Sequence, residues 1–512
     1  MLFRRIILSF FAFIFFISGV YSQKSGLAAI DTFDLKEHLT YLASDELQGR
    51  SPGTEVDGLN MAADYIAQNA AKIGLKPGVP GYFQKVDLVA ESPDKENFIE
   101  VKNSNGKSLY RSPSFIDYSG IIKKQVYTQL PVVLAGFGTH LADTDLDGKV
   151  VLVSAGTRND FGEKIFHWNN RLERSKIDSL AAKHPKAIII CTNPNDKEGK
   201  VFKQISVWFN RERYSLKQDE KEEIPVLLVL PEVGDKLLGG KGQYRKYLEI
   251  VAENKEFVEI QNKTITFSTG KQTRETEVKN VVGVVEGSDP VLKDECVVFM
   301  AHYDHLGVRE DGDVYNGADD NGSGTVTVME VAQAFATLEQ KPKRSIVFLW
   351  VTCEELGMFG SNFYTQHPVF SLEKTTACFN LDMVGRVREP RDSVWDGSLK
   401  KVKDFDGLYA LSNAVWPELA EINNQKCEEL GLVPDPGLPA NFLRSSDHYN
   451  FHKFGVPVLN YATGYHADYH KVGDEVEKIS FKKMKRVADL CFMVGMEVAN
   501  HDKIERKSAE KQ

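Results

Sequence analysis

Cysteine is scarce in this chain, six in 512 residues, and no two stand as a C-x-x-C pair. That argues against a thiolate metal site. Cys191, Cys296, Cys353 and Cys378 fall in or beside apolar runs, where they read as small buried hydrophobes. Positive charge is also short: 63 Lys and Arg against 72 Asp and Glu give a formal net charge of −9, and no long basic run occurs. A nucleic-acid partner is therefore not expected. Internal repeats and low-complexity tracts are missing as well. One leading apolar run, Ile6 to Val20 in "MLFRRIILSFFAFIFFISGVYSQ", is short for a bilayer span of about 20 residues. Placed behind Arg4 and Arg5 and ahead of Ser22, it reads as a signal peptide over residues 1–22. The expected product is secreted or periplasmic, with no transmembrane anchor. No cysteine stands near the cleavage point to carry a lipid.

What the chain does have is apolar residues, 42% of the total, enough for more than one core. Residues 33 to 75 read as two helices, the second ending at Gly74 in "GLNMAADYIAQNAAKIGLKPG". From about 125 to 270 the texture turns to short β-branched runs: "PVVLAG", "KVVLVSAG", "AIIICT", "PVLLVLP", "YLEIVAE" and "KTITFST". A helical patch, "SKIDSLAAKHP", interrupts them. This region reads as an inserted, mainly β domain. Beyond it, strand-like runs alternate with helical ones, as in "CVVFMAH", "TVTVMEVAQAFATLEQ", "SIVFLWVT", "TTACFNLDMVG" and "VPVLNYAT". Such alternation implies an α/β sheet covered on both faces. The expected division is 23–120 and 273–505 for one domain, 121–272 for the insert and 506–512 for a tail.

Polar clusters stand where the strand-like runs end, which is where α/β sheets collect reactive groups. The segment "HYDHLGVREDGDVYNGADDNGSG" holds two histidines and five aspartates threaded with glycine. His302 and Asp304 end one strand, and Asp319 and Asp320 precede a helix. Glu354 and Glu355 end a second strand, Asp382 a third, and His470 lies in "HADYHKVGDE". Imidazoles and carboxylates without thiolate, with one acid free to bridge, suit a pair of divalent ions. Zinc fits this set best, with manganese or cobalt behind it. Asp304 and Asp474 each lie near a candidate ligand histidine and are placed to brace it from an outer shell. His466 competes with His470, and His305 and His448 are open between roles.

The stretches "AHYDHLG", "NGADDNGSG", "CEELGMFGS", "NLDMVGR", "SSDHYNFHKFGVP" and "YHKVGDEV", in this order, resemble the zinc aminopeptidases of peptidase family 28. The opening "LKEHLTYLASDELQGRSPGTEVDGLNMAADYIA" also resembles that family's N-terminal region. "LAGFGT" and "LDGKVVLVSAG" are similar to the protease-associated domain that many members carry as an insert. The resemblance implies a three-layer αβα sandwich with a mixed, mostly parallel sheet, peptide substrates and two Zn2+ per chain. It would place His302 and Asp382 on one ion, Glu355 and His470 on the other, and Asp320 between them, leaving Asp319 without a ligand role. His470 rather than His466 takes the ligand position because Asp474 follows it at the family's spacing. Glu354 would be the general base and Tyr469 an oxyanion-stabilising hydroxyl. His448 would line the substrate cleft or brace the ligands. Carboxypeptidase or amidohydrolase chemistry on the same site, or an inactive binding homologue, are the alternatives within this family.

Overall fold

The computed structural model describes residues 23–138, 145–162, 168–196, 199–217, 223–254, 258–387, 405–411, 415–435, 443–501 and 504–506. The expected signal peptide and most of the tail lie outside them. Two compact units form, one from Met1–Asp87 with Glu277–Gln512, the other from Leu88–Thr276. The second unit thus takes in residues 88–120 together with the expected insert.

The first unit is built on four parallel strands, in the spatial order Ser345–Val351, Cys296–His302, Thr375–Leu381 and Val458–Ala462. Lys271–Val285 joins antiparallel beside Ser345–Val351, and Gly407–Leu411 joins antiparallel beside Val458–Ala462. The sheet is therefore mixed, with a parallel centre. Every residue of Cys296–His302 and Ser345–Val351 is buried. Side chains alternate between sheet faces, so burial of consecutive residues means both faces are covered. Phe299 marks one layer of this core, packing on Phe335 of helix Gly324–Ala336 and on Phe348 and Phe379 of the adjoining strands.

The expected pair of N-terminal helices is present. Thr32–Leu42 starts at Asp31, whose carboxylate accepts the Phe33 N–H, and it buries Leu35, Leu39 and Leu42 along one stripe. Gly58–Lys72 is capped by Asp57, and Gly74 beyond it takes φ +81°. Among the described residues no helix is long and apolar enough to cross a membrane.

The second unit has two sheets. One runs Val258–Glu259, Val132–Leu134, Val150–Ser154, Ala187–Cys191, Val226–Val229 and Ile116–Asp117, with its four central strands parallel. The other is a four-stranded antiparallel sheet ordered Ser108–Ser112, Phe98–Asn103, Lys263–Thr269 and Gln125–Leu130. The unit is α/β rather than mainly β, because helices Asn170–Ala181, Lys200–Phe209, Glu232–Leu238 and Gln243–Asn254 accompany the strands. "YLEIVAE" lies in the last of these. Tyr244, Tyr247, Leu248 and Val251 follow helical spacing and pack on the core. Its β-branched residues suggested a strand, and packing overrode that preference.

Candidate metal centre

The parallel strands of the first unit are in register at their C-terminal ends. His302 pairs with Val351, and Leu381 pairs with Tyr461. The residues that follow, Glu354, Glu355 and Asp382, therefore emerge beside His302 at one sheet edge. Several are presented from left-handed backbone: Cys353 (φ 56°) before the glutamates, Met383 (φ 62°) after Asp382, and His470 itself (φ 54°). Non-glycine residues adopt this region at a cost and gather at sites where orientation matters. Asp320 comes from a turn that only glycine permits on either side. Gly317 has φ +56°, and a Cβ there would fall 2.3 Å from the Asp320 carbonyl oxygen. A Cβ on Gly324 would fall 2.3 Å from the Leu381 carbonyl.

Asp320 is the hinge of the arrangement. Its Oδ1 lies 3.6 Å from His302 Nε2, and Asp382 Oδ1 lies 3.5 Å from the same nitrogen. Its Oδ2 lies 3.1 Å from His470 Nε2, and Glu355 Oε2 stands 3.3 Å from that nitrogen. Donor atoms this close, without a proton for every pair, are spaced as they would be around shared cations. His302, Asp320 and Asp382 form one group able to hold an ion, and His305, Asp320 and Glu355 form a second. The set is imidazole and carboxylate, as zinc accepts, so the residues fit a metal pair. The second group carries His305 where the resemblance implied His470, which stands outside both groups with its Nε2 toward Asp320 and Glu355.

Outer contacts fix these side chains. Asp304 accepts the Glu354 N–H at 3.0 Å on one oxygen and the Glu355 N–H at 3.2 Å on the other, with His302 Nδ1 3.6 Å away. Asp474 acts at a different place from the one its neighbourhood in sequence suggested. Its Oδ2 accepts the N–H groups of Asp319 and Asp320, both at 3.0 Å, and so holds the Asp320 peptide rather than the His470 ring. Asp319 turns away from the centre: its Oδ1 accepts the Gly385 N–H at 2.7 Å and its Oδ2 lies 3.2 Å from His466 Nε2. His466 is thereby occupied outside the ligand groups.

Three residues gain roles that sequence reading did not assign. His305 Nδ1 sits 2.8 Å from Glu355 Oε1, leaving Oε2 for the centre. Arg50 reaches the ligand loop from the N-terminal region. Asp447, fully buried, accepts from Ser361 Oγ; burial pushes its carboxyl up to about 7, and its ionised form raises Glu354. The neighbouring His448 is buried on helix His448–His452 and is not part of the cavity wall. Only two adjacent letters separate these roles in "SSDHYNF", and adjacency does not say which side chain faces the site.

The electrostatics are those of an acid cluster seeking positive charge. Burial, reinforced by Asp447, Asp382 and Glu355, pushes the Glu354 carboxyl well above the ordinary carboxylate range despite His302. Burial and Glu355 also raise Asp320. Burial opposes protonation of His470, but Asp320 and Glu355 outweigh it and push the imidazole up to about 10. Burial likewise opposes a charged His302, and Asp304 and Asp382 outweigh that too. Dications would take the place of such protons. A cavity of about 50 Å3 opens on the cluster, walled by His302, Asp320, Glu354, Glu355, Asp382 and His470 together with Tyr465 and Tyr469. The Tyr469 ring stacks on His470 with centroids 3.8 Å apart, and burial keeps its hydroxyl protonated.

Residues 280–495 match the model described as peptidase family M28, a span that contains all the residues just named except Arg50. The chain is 29% identical over 381 residues to aminopeptidase YwaD of Bacillus subtilis, covering 73% of this chain and 68% of that one. It is 25% identical over 401 residues to leucine aminopeptidase 2 of Trichophyton rubrum, covering 74% and 67%. Among solved structures, an aminopeptidase from Aneurinibacillus sp. strain AM-1 shares the fold, with a TM-score of 0.52 at 17% identity over 95% of this chain and 98% of that one.

Proposed function

The chain belongs to peptidase family M28 and is a metallopeptidase, and on that premise we propose that it is a secreted aminopeptidase that works with two zinc ions. The observation that carries the dinuclear reading is Asp320, whose two oxygens face two different imidazole–carboxylate groups. His302 and Asp382 would hold one ion, Glu355 and His470 the other, and Asp320 both. Bound zinc supplies Lewis acidity, which acidifies a water and polarises the scissile carbonyl.

The chain's own groups do the rest. Glu354 stands in the cavity wall beside the residues proposed to hold the ions. Its carboxylate accepts the proton of the attacking water and passes it to the departing amine. The Tyr469 hydroxyl, kept protonated, is a donor for the oxygen that gains charge as the carbonyl is attacked. Amino-terminal rather than carboxyl-terminal cleavage follows the activity printed for the two curated relatives. Export follows from the apolar leader at residues 1–22.

Metal analysis combined with paired substrates tests the reading. Two zinc ions per chain and hydrolysis of aminoacyl-nitroanilides over acyl-glutamates are expected. Less than one zinc per chain without hydrolysis would make the protein a binding module, and preference for acyl-glutamates would make it a carboxypeptidase.

A further inference from the structure

The loop that follows His302, residues 303–317, is held by a side chain far away in sequence. Asp45–Arg50 follows helix Thr32–Leu42 as a tight turn, in which Gln48 (φ 43°), Gly49 (φ 67°) and Arg50 (φ 48°) are all left-handed. Two of the three are not glycine, and such residues hold this conformation only where their surroundings impose it. The surroundings here are main-chain carbonyls. The Arg50 guanidinium, 1% exposed, donates from Nε to the Tyr303 oxygen at 2.7 Å. It also donates to the oxygens of Leu42, of Asn316 at 2.7 Å and of Gly317 at 2.9 Å.

The backbone repeats the attachment. The His305 N–H donates to the Arg50 carbonyl at 3.2 Å, and the Gly307 N–H donates to the Gly49 carbonyl at 3.1 Å. Gly49 permits this approach, since a Cβ there would fall 2.4 Å from the Gly307 oxygen. One planar fork thus grips both ends of the loop. Tyr303 directly follows the ligand His302, and Gly317 stands three residues before the bridging Asp320.

We propose that Arg50 is a positioning residue of the metal centre: by tying Tyr303, Asn316 and Gly317 to Leu42, it sets the spacing between His302 and Asp320. The inference rests on the assignment of those two residues as metal ligands. The fork matters as well as the charge. Four carbonyls in different directions match the donors of a planar guanidinium, whereas an ammonium offers three donors from one point.

Arg50→Lys therefore separates geometry from charge, with Arg50→Gln removing both. Zinc affinity is measured on the folded proteins by competition with a chromophoric chelator, alongside kcat and KM at saturating zinc. Both variants are expected to bind zinc about 10-fold or more weakly, the range seen when outer supports of a metal site are removed. Lysine should not rescue, and kcat should fall while KM holds. Arg50→Lys binding zinc within about twofold of the parent, with only its melting temperature lowered, would make Arg50 a plain fold element and overturn the inference. A parent protein that binds no zinc would overturn the metal-centre reading instead.

Should the Arg50 variants not fold, Gly307→Ala loads the same loop from the other side. Its Cβ would meet Ser51 Cβ at 2.9 Å and Thr54 Cγ2 at 3.5 Å. Weaker zinc binding by this variant supports the clamp, and unchanged binding overturns it.

Discussion

Each of the two units contains four adjacent parallel strands, yet among the described residues only the first unit's sheet ends in groups able to hold a metal. In the first unit the strand ends lead into His302, Glu354, Glu355 and Asp382. In the second, Val132–Leu134 leads to Ala135 and Gly136, and Val150–Ser154 to Ala155 and Gly156. Ala187–Cys191 leads to Thr192 and Asn193, and Val226–Val229 to Leu230 and Pro231. Among the described residues, both groups able to hold a metal lie in the first unit. A parallel sheet offers an edge where side chains can converge, and the chemistry depends on which side chains stand there.

The sharpest test of that contrast is Glu354→Gln. It should keep both metals and lower kcat by about 10²–10⁴-fold, as loss of a general base does. Near-parental turnover would place the base elsewhere. Asp320→Asn should weaken both ions together, while Glu355→Ala should bring zinc content toward one per chain. Equal retention of both ions in the two variants, read by metal analysis after dialysis, would break the bridging assignment.

The second sheet should respond in stability instead. Ile189 is fully buried in its core, and Ile189→Ala should cost about 2–5 kcal/mol in denaturant unfolding. Zinc content and turnover per folded molecule should stay at parental values. A selective loss of activity would show that the sheet has a part in the chemistry.

The smallest effect concerns a buried acid of the first unit outside the centre. Glu330 accepts the Asp31 N–H, and burial pushes its carboxyl up to about 7. The unfolded chain releases that proton near its ordinary value, so between the two values the folded state binds more protons. Stability should therefore fall as pH rises through this window, and Glu330→Gln should flatten the slope. An unchanged slope in pH-dependent melting would assign it to other groups.

The strand-end cluster was legible because the apolar runs stop at or just before its polar residues, a pattern written in consecutive letters. The Asp320 turn was legible from its glycines. Arg50 was not, since its partners are carbonyl oxygens that every residue possesses and that carry no letter of their own. The target of Asp474 escaped for the same reason, being the amides of Asp319 and Asp320. In the second unit, "YLEIVAE" offered strand-forming residues at helical spacing. Only the packing of Tyr244, Tyr247 and Leu248 decides between them.

Asp304 gives one oxygen to the amide of Glu354 and the other to the amide of Glu355. The proposed proton carrier and the proposed metal-holding glutamate are thus yoked to a single carboxylate, and neither can drift without dragging the other. Natural variation that retunes the acidity of one must answer for the seat of its neighbour, so the pair should evolve in step.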